Sequence, residues 1–400
     1  MRPVVLLGGI NVVRALGMAK IPVIIASSGR RTPSMASRYC AGVIELPPFG
    51  TDATSRAAVA ETLARAGRRL AEAHGGPLPL FYDNEDRLKL VQDYREVLAP
   101  QFALLLNDPA LDAALIDKSL FQALAGRLGL PVPRRIAWEA LEAEGGPVLA
   151  KPYIKSAAWS ERGAQRRFFG ETGKARIFAS GAAARADPLA RELAGELAFQ
   201  EYIPGGDDAI WSFHGFAAPG GEVLEWFVGR KIRTSPPLTG ESSYVRLARS
   251  EELERMGREV AARLGLAGVF KMDFKRSAAT GRFHLFEVNT RVNLWVYVGA
   301  VNGVNLARVA YDWLLHGTRP RHVEARLRLR WLAFRLDWPA FRALRGRGEL
   351  GLAGWLWSLA QAPKVYEFFS WRDPGPFLRL VGERLRERAQ RRRPWPSPAK

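Results

Sequence analysis

The chain has 400 residues, 48% of them apolar and 25% charged. That is enough for two or three domains at roughly 100–200 residues each, and it excludes global disorder, a collagen-like repeat or a small disulfide-stapled scaffold. The net charge is +19, but residues 321–400 hold 18 Lys/Arg against 7 Asp/Glu, together with six of the twelve tryptophans. The first 320 residues therefore carry only +8, which argues against a general nucleic-acid binder.

Cys40 is alone, so an intrachain disulfide or a multi-cysteine metal site is impossible, and a cytoplasmic location is expected. A lone cysteine in a strand-like segment reads as a small buried residue. Val4–Leu7 is short for a signal-peptide core and reads better as a first buried strand. No run of ~18 apolar residues occurs, so no spanning helix is expected.

Gly8-Gly9 follows that strand. A helical pattern (Ile10, Val13, Leu16) and a second strand, Val23–Ala26, complete a β-α-β unit. Gly8-Gly9 lacks the spacing of a dinucleotide fingerprint and reads as a tight structural turn. Tyr39–Leu46, a long helix near Thr51–His74, a strand Leu78–Tyr82 and a helix after Asn84 continue the alternation, which predicts a parallel sheet covered on both faces. Asp83-Asn84-Glu85-Asp86 follows a strand end, where its acids either cap the next helix or meet a substrate amine; capping is preferred. One helix is expected over Leu111–Leu128, ended by Gly129 and Pro131. Beyond it lie strand-like Pro147–Pro152, a basic stretch to Phe169, a short strand Leu197–Ile203, and two antiparallel pairs, Trp211–Phe216 with Val223–Val228 and Val269–Lys275 with Phe283–Asn289.

The second pair holds the strongest cluster of chemistry. Alternation places Lys271 and Asp273 on one face and Glu287 and Asn289 on one face. A turn centred near Thr280 sets Asp273 opposite Glu287. Two carboxylates and an amide oxygen form a hard-ligand set suited to magnesium; a solvated polar hairpin face is the other reading. Lys118 starts a helix, and Lys151 ends an apolar strand, where an ammonium needs a partner such as phosphate or snorkels outward. The extended Phe199–Asp208 segment offers backbone groups to a planar ring, with Glu201 for an exocyclic amine and Asp208 for ribose hydroxyls; a strand followed by a glycine turn is the other reading. The five histidines show no metal-ligand spacing.

Four strings in order, Leu128-Gly129-Leu130-Pro131-Val132-Pro133, Val148-Leu149-Ala150-Lys151-Pro152, Phe199-Gln200-Glu201-Tyr202-Ile203-Pro204-Gly205 and Phe286-Glu287-Val288-Asn289-Thr290-Arg291, resemble the ATP-grasp superfamily. The resemblance covers about residues 1–318 and is similar within that superfamily to carboxylate–amine ligases, including relatives of D-aspartate ligase. It implies a pre-ATP-grasp parallel-sheet α/β domain (1–110) and first and second ATP-grasp lobes (111–196 and 197–320); residues 321–400 lie outside it and read as a basic, Trp-rich helical C-terminal extension. It implies ATP and Mg2+ as cofactors. Lys118 and Lys151 would contact phosphates. Glu201, Tyr202 and Ile203 would hold adenine, and Asp208 the ribose. Asp273, Glu287 and Asn289 would bind magnesium, Lys271 would touch the γ-phosphate, and Arg291 would stabilise the acyl phosphate or the substrate carboxylate.

The implied partners are a small-molecule carboxylate and an amine, joined through an acyl phosphate with release of ADP and phosphate. A catalytically silent nucleotide-binding or membrane-associated scaffold is the rival. The sequence departs from the superfamily in its lid: Tyr153–Phe169 has only Gly163, with Lys155, Arg162, Arg166 and Arg167 as candidate phosphate contacts or solvated charges. Arg230, Lys231 and Arg233 stand where substrate-facing residues could sit. The tail matches nothing in the superfamily pattern. Its tryptophans and arginines suit either packing on the body or peripheral contact with an anionic inner membrane face.

Overall fold

A computed structural model describes residues 1–29, 32–153, 163–170 and 175–391. Among the described residues sixteen strands form three sheets. The first is parallel, with order β3-β2-β1-β4-β5, from β1 (Val4–Leu7), β2 (Val23–Ser27), β3 (Cys40–Glu45), β4 (Leu78–Tyr82) and β5 (Phe102–Ala103). The central strands β1 and β4 are buried along their whole length, as strands covered on both faces must be. The order reverses between β1 and β4, and ligands of open parallel sheets bind at the carboxyl ends of strands at such a switch. Gly8-Gly9 lies there. The Gly9 N–H donates to the Asp83 carboxylate at 2.6 Å, and a Cβ on Gly8 would meet Leu6 at 2.7 Å, so the pair makes a tight structural turn. Cys40 opens β3 half-buried rather than fully buried, its thiol donating to the Gly42 carbonyl.

The helix expected over Leu111–Leu128 is two helices, Pro109–Ile116 and Lys118–Arg127. Asp117 explains the break. It leaves helical geometry, and its carboxylate accepts from the N–H groups of Ser119 and Leu120, capping a second helix inside one apolar pattern. The second sheet is antiparallel, with order β6-β9-β7-β8, from β6 (Arg135–Ile136), β7 (Val148–Pro152), β8 (Arg176–Phe178) and β9 (Leu197–Glu201).

The third sheet has order β14-β13-β10-β11-β12-β15-β16: β10 (Ile210–Ala218), β11 (Glu222–Ser235), β12 (Glu241–Ala248), β13 (Gly268–Arg276), β14 (Phe283–Asn289), β15 (Arg330–Leu332) and β16 (Lys364–Tyr366). Strict alternation sorts its two faces. Phe213, Phe270, Met272, Phe274 and Val288 point to one side, each phenylalanine burial stabilising by about 1.5–3 kcal/mol. The helix Glu251–Leu264 covers that side with Leu253, Val260, Ala261 and Leu264. Ser250 caps it, three glutamates occupy its first turn, and Gly265 ends it at φ 64°. The other face carries Ser212, His214, Lys271, Asp273 and Glu287 and looks toward the first two sheets. A core containing Ile10, Val13, Leu16, Phe227, Trp295 and Val298 joins the first sheet's helix to this side.

The C-terminal region, expected as a helical extension, is more than that. Its strands β15 and β16 extend the third sheet beyond β12. Trp331 is buried and donates to Asn11 at 3.2 Å, and Trp355 stacks on Phe341. Two buried ion pairs lock it down: Arg233 holds Asp337 through two nitrogens at 2.8 and 2.9 Å, and Arg14 holds Asp373 at 3.0 Å.

Candidate active site

A cavity of about 450 Å3 opens where the three sheets meet. Its floor is the polar face of the third sheet. The antiparallel register sets Asp273 opposite Glu287 and Lys271 opposite Asn289, with Ser212 beside Asp273 and His214 beside Lys271. The Ser212 hydroxyl donates to one Asp273 oxygen, and the Lys271 ammonium donates to the other at 2.6 Å. Lys118 lies 3.5 Å from Glu287. The backbone N–H of Lys118 donates to the Tyr153 carbonyl at 2.9 Å, which ties its helix to the strand bearing Lys151. The guanidinium of Arg291 donates to the Asp83 carbonyl at 2.9 Å and to the Asn289 amide oxygen at 3.1 Å, and pairs with Glu85 at 3.5 Å. Thus Arg291 joins the first sheet's switch point to the third sheet's floor.

Lys118, Lys151, Tyr202, Ile203, Lys271, Asp273, Glu287, Asn289 and Arg291 all line this one cavity. Glu201 and Asp208 are not in the lining. The Glu201 carboxylate accepts from the Arg134 backbone N–H at 2.9 Å, and Asp208 turns outward to pair with Arg230 at 2.7 Å. The Tyr202 N–H is engaged by the Pro147 carbonyl at 3.1 Å. The helix Glu85–Asp93 is capped by Asn84 rather than by one of the acids the sequence reading preferred; Glu85 and Asp86 lie in its first turn, and Asp83 and Glu85 line the cavity. Lys155 and Arg162 lie outside the described residues. Arg167 pairs with the exposed Glu192, and Arg233 turns to Asp337 rather than to the cavity.

Among the lining residues, Lys275 and Gln200 have no role in the sequence reading, and Lys231 stands there only as one of three substrate-facing candidates. Lys275 continues the 271/273 alternation, so period 2 alone was a signal for it. Its ammonium donates to the Tyr202 hydroxyl at 3.2 Å and sits 4.3 Å from that ring's centre. Burial pulls its pKa down to about 8. Lys231, buried on β11, is likewise held below the usual lysine range by burial, against the attraction of Asp273. Gln200 lines the cavity, and its buried side-chain oxygen has no partner among the described residues; such an orphan acceptor can take a hydrogen bond from a planar amine.

Asp273, Glu287 and Asn289 together present only oxygen donors, the set that suits a hard divalent cation completed by phosphate oxygens and water. Among the described residues no group of three His, Cys, Asp or Glu side chains forms a self-sufficient metal site.

No protein-family model matches the chain. The D-aspartate ligase of Enterococcus faecium is 22% identical over 268 residues, 62% of this chain; the chain spans about three fifths (61%) of that protein's length. Among solved structures, a biotin carboxylase from Campylobacter jejuni superposes with TM-score 0.58 at 13% identity, covering 82% of this chain and 74% of that one. An N5-carboxyaminoimidazole synthetase from Staphylococcus aureus gives 0.55 at 10%, covering 80% and 79%. An L-amino acid ligase from Bacillus licheniformis gives 0.55 at 14%, covering 78% and 73%. At these identities the likeness is one of fold: the chain has the α/β ATP-grasp fold that its four strings led us to expect. Its similarity in sequence is to a D-aspartate ligase.

Proposed function

We propose that the protein is an ATP-dependent carboxylate–amine ligase that forms an amide or peptide-like bond and releases ADP and phosphate. The observation that carries this reading is the facing pair Asp273 and Glu287, flanked by Lys271, Lys118 and Arg291, on the floor of one cavity between the sheets. Support also comes from the fold neighbours, one of which was solved with an ATP analogue.

In this reading Lys118 and Lys151 contact the phosphates from the first lobe. Asp273, Glu287 and Asn289 would hold Mg2+, which would supply positive charge to offset the phosphates. Lys271, paired with Asp273 on the same floor, would contact the γ-phosphate. Ile203, Tyr202 and the orphan oxygen of Gln200 receive the adenine; Glu201 and Asp208 face elsewhere and act at most as supports. The substrate carboxylate oxygen attacks the γ-phosphorus as the bond to the ADP oxygen breaks. The amine nitrogen then attacks the acyl carbon, phosphate departs, and the ammonium proton passes to solvent. Arg291 offers the cationic group that offsets the acyl phosphate charge.

The test is ADP and phosphate release by the full chain with Mg2+ and a panel of carboxylates and amines. Release that requires both substrates supports a ligase. Release without an amine requirement points to carboxylation or simple phosphoryl transfer, and no release with any pair favours the silent scaffold. Among the described residues no helix is long and apolar enough to cross a membrane. We further propose that the C-terminal region meets an anionic membrane surface through the helix Leu352–Ala360, whose Leu356 and Trp357 are 52% and 67% exposed, since exposed tryptophan beside excess arginine suits a lipid interface. Co-sedimentation with anionic vesicles that persists in a Leu356→Asp/Trp357→Asp variant would remove that role.

A further inference from the structure

The face of the third sheet turned away from the cavity carries a row of like charges. The cross-strand register aligns Arg230 with Arg246, Arg246 with Arg330, and Arg330 with Lys364, one cation on each of four neighbouring strands, β11, β12, β15 and β16. Like charges directly opposite one another destabilise a sheet. A fold keeps such a row at a cost, unless something negative sits on it.

Protein carboxylates answer only part of the charge. Arg230 pairs with Asp208 and Arg249 with Glu324. Arg330 donates only to neutral oxygens, those of Tyr244 at 3.2 Å and Gln361 at 3.0 Å. Lys364 donates to backbone carbonyls. The guanidinium groups of Arg246 and Arg328 have neither an ion pair nor a hydrogen bond among the described residues, the Arg328 backbone N–H alone donating to Asn302. Partial burial, with Arg230 and Arg330 adding to it, makes the charged form of Arg246 less favourable. Arg246, Arg249, Arg328 and Arg330 converge on a hollow of about 500 Å3, walled by Trp211, Leu327 and the turn Gln361–Pro363.

We propose that this hollow is a second binding site, separate from the ATP cavity, for a phosphate-bearing anion. Guanidinium groups match phosphate oxygens in a planar, paired geometry. A phosphate drawing on Arg246, Arg328 and Arg330 would supply the counter-charge that the sheet lacks. The walls add apolar surface for the body attached to the phosphate, with Trp211 on one side and Leu327 on the other. The site exists only because the C-terminal region joins the sheet, since Arg328, Arg330 and Gln361 all come from it. The same chemistry is available from a soluble phosphate monoester or from a phospholipid headgroup.

The experiment uses the full chain and its Arg246→Gln/Arg328→Gln variant, neither residue lining the ATP cavity. Each is titrated with glycerol phosphate by calorimetry and sedimented with phosphatidylglycerol or phosphatidylcholine vesicles. Thermal unfolding is followed with and without glycerol phosphate. The expected result is binding of at least one phosphate source by the wild type, weakened about tenfold or more in the variant. The ligand-free variant should melt no lower than the wild type, because a like-charge clash has been removed. Glycerol phosphate binding assigns a soluble ligand, and binding confined to phosphatidylglycerol vesicles assigns a lipid headgroup. Equal binding by wild type and variant, or no binding of either source, overturns the proposal. Unchanged ADP release in the variant keeps this outcome distinct from any failure of the ligase reading.

Discussion

Asp273 and Glu287 are direct cross-strand partners, one residue before the register between β13 and β14 shifts. The shift falls between Asp273 and Phe274, so the two carboxylates stay paired on the cavity face while the strands beyond them re-align. Asp273 is fastened on both oxygens, by Ser212 and by Lys271, which fixes its orientation before any ligand arrives. Preorganised charge of this kind is where such sites concentrate their effect.

Asp273→Asn and Glu287→Gln are each expected to lower ADP release by about 100-fold or more. Asp273→Asn also strips Lys271 of its ion-pair partner, so it should raise the Mg2+ concentration needed for half-maximal nucleotide binding. Steady-state assays across a Mg2+ series check this. Unchanged turnover would remove both residues from the metal assignment.

Lys275 is depressed to about pH 8 by burial, so it is cationic below that pH and neutral above it. Beside Tyr202 in the proposed adenine pocket, its charge would add to ATP affinity at pH 7 and lose that effect as pH rises through about 8. ATP affinity measured from pH 7 to 9 should weaken in the wild type and vary less in Lys275→Arg, whose side chain stays charged. For folding, the native state holds fewer protons on this lysine than the unfolded chain between about 8 and the ordinary lysine range, so this group's term favours stability as pH rises there.

His214 is stacked between Phe227 and Trp295, at centroid distances of 4.6 and 5.0 Å, and neither ring nitrogen has a partner among the described residues. Burial first, then the Lys271 charge, holds its pKa well below the usual histidine value. A depressed base loses stability as pH falls below its unfolded pKa of about 6.5. His214→Phe keeps the ring and discards the unpaired nitrogens, a replacement expected to be nearly neutral at pH 7 and to blunt the loss at pH 5. Urea midpoints at the two pH values decide it.

Asp337→Ala leaves the guanidinium of Arg233 buried without its carboxylate and is expected to cost about 3–5 kcal/mol. Deletion after residue 320 is a harsher form of the same insult. It uncovers Arg14, Arg233 and the edge of β12 together, so it should yield aggregating protein rather than a shortened folded one. Circular dichroism and size-exclusion chromatography of the two proteins test this.

Much of the site was legible in local pattern. Period 2 and the turn near Thr280 predicted both the faces and the Asp273–Glu287 pairing, because register follows from alternation and turn position. The strand-helix alternation of the first domain was equally plain. The rest depended on distant partners. Asp117 looked like one polar residue within a helix until its carboxylate capped the next one. Glu201 and Asp208 sit in a suitable string, yet Arg134 and Arg230 claim their carboxylates. Strands β15 and β16 have three residues each and little signature of their own; the open edge of β12 makes them strands. Arg233 and Asp337 are 104 residues apart, and no local rule pairs them.

The guanidinium of Arg14 is almost fully buried, and its hydrogen bonds go to Tyr366, Glu367, Phe368 and Asp373. The first β-α-β unit thus contains a charge that only the far end of the described chain can accommodate, 359 residues later. At roughly 5–20 residues per second of synthesis, that helix waits on the order of tens of seconds for its partner. Until then the opening unit of the protein leaves the ribosome with a cation that must stay in water, and its packing against the rest can close only after the C-terminal region has been made.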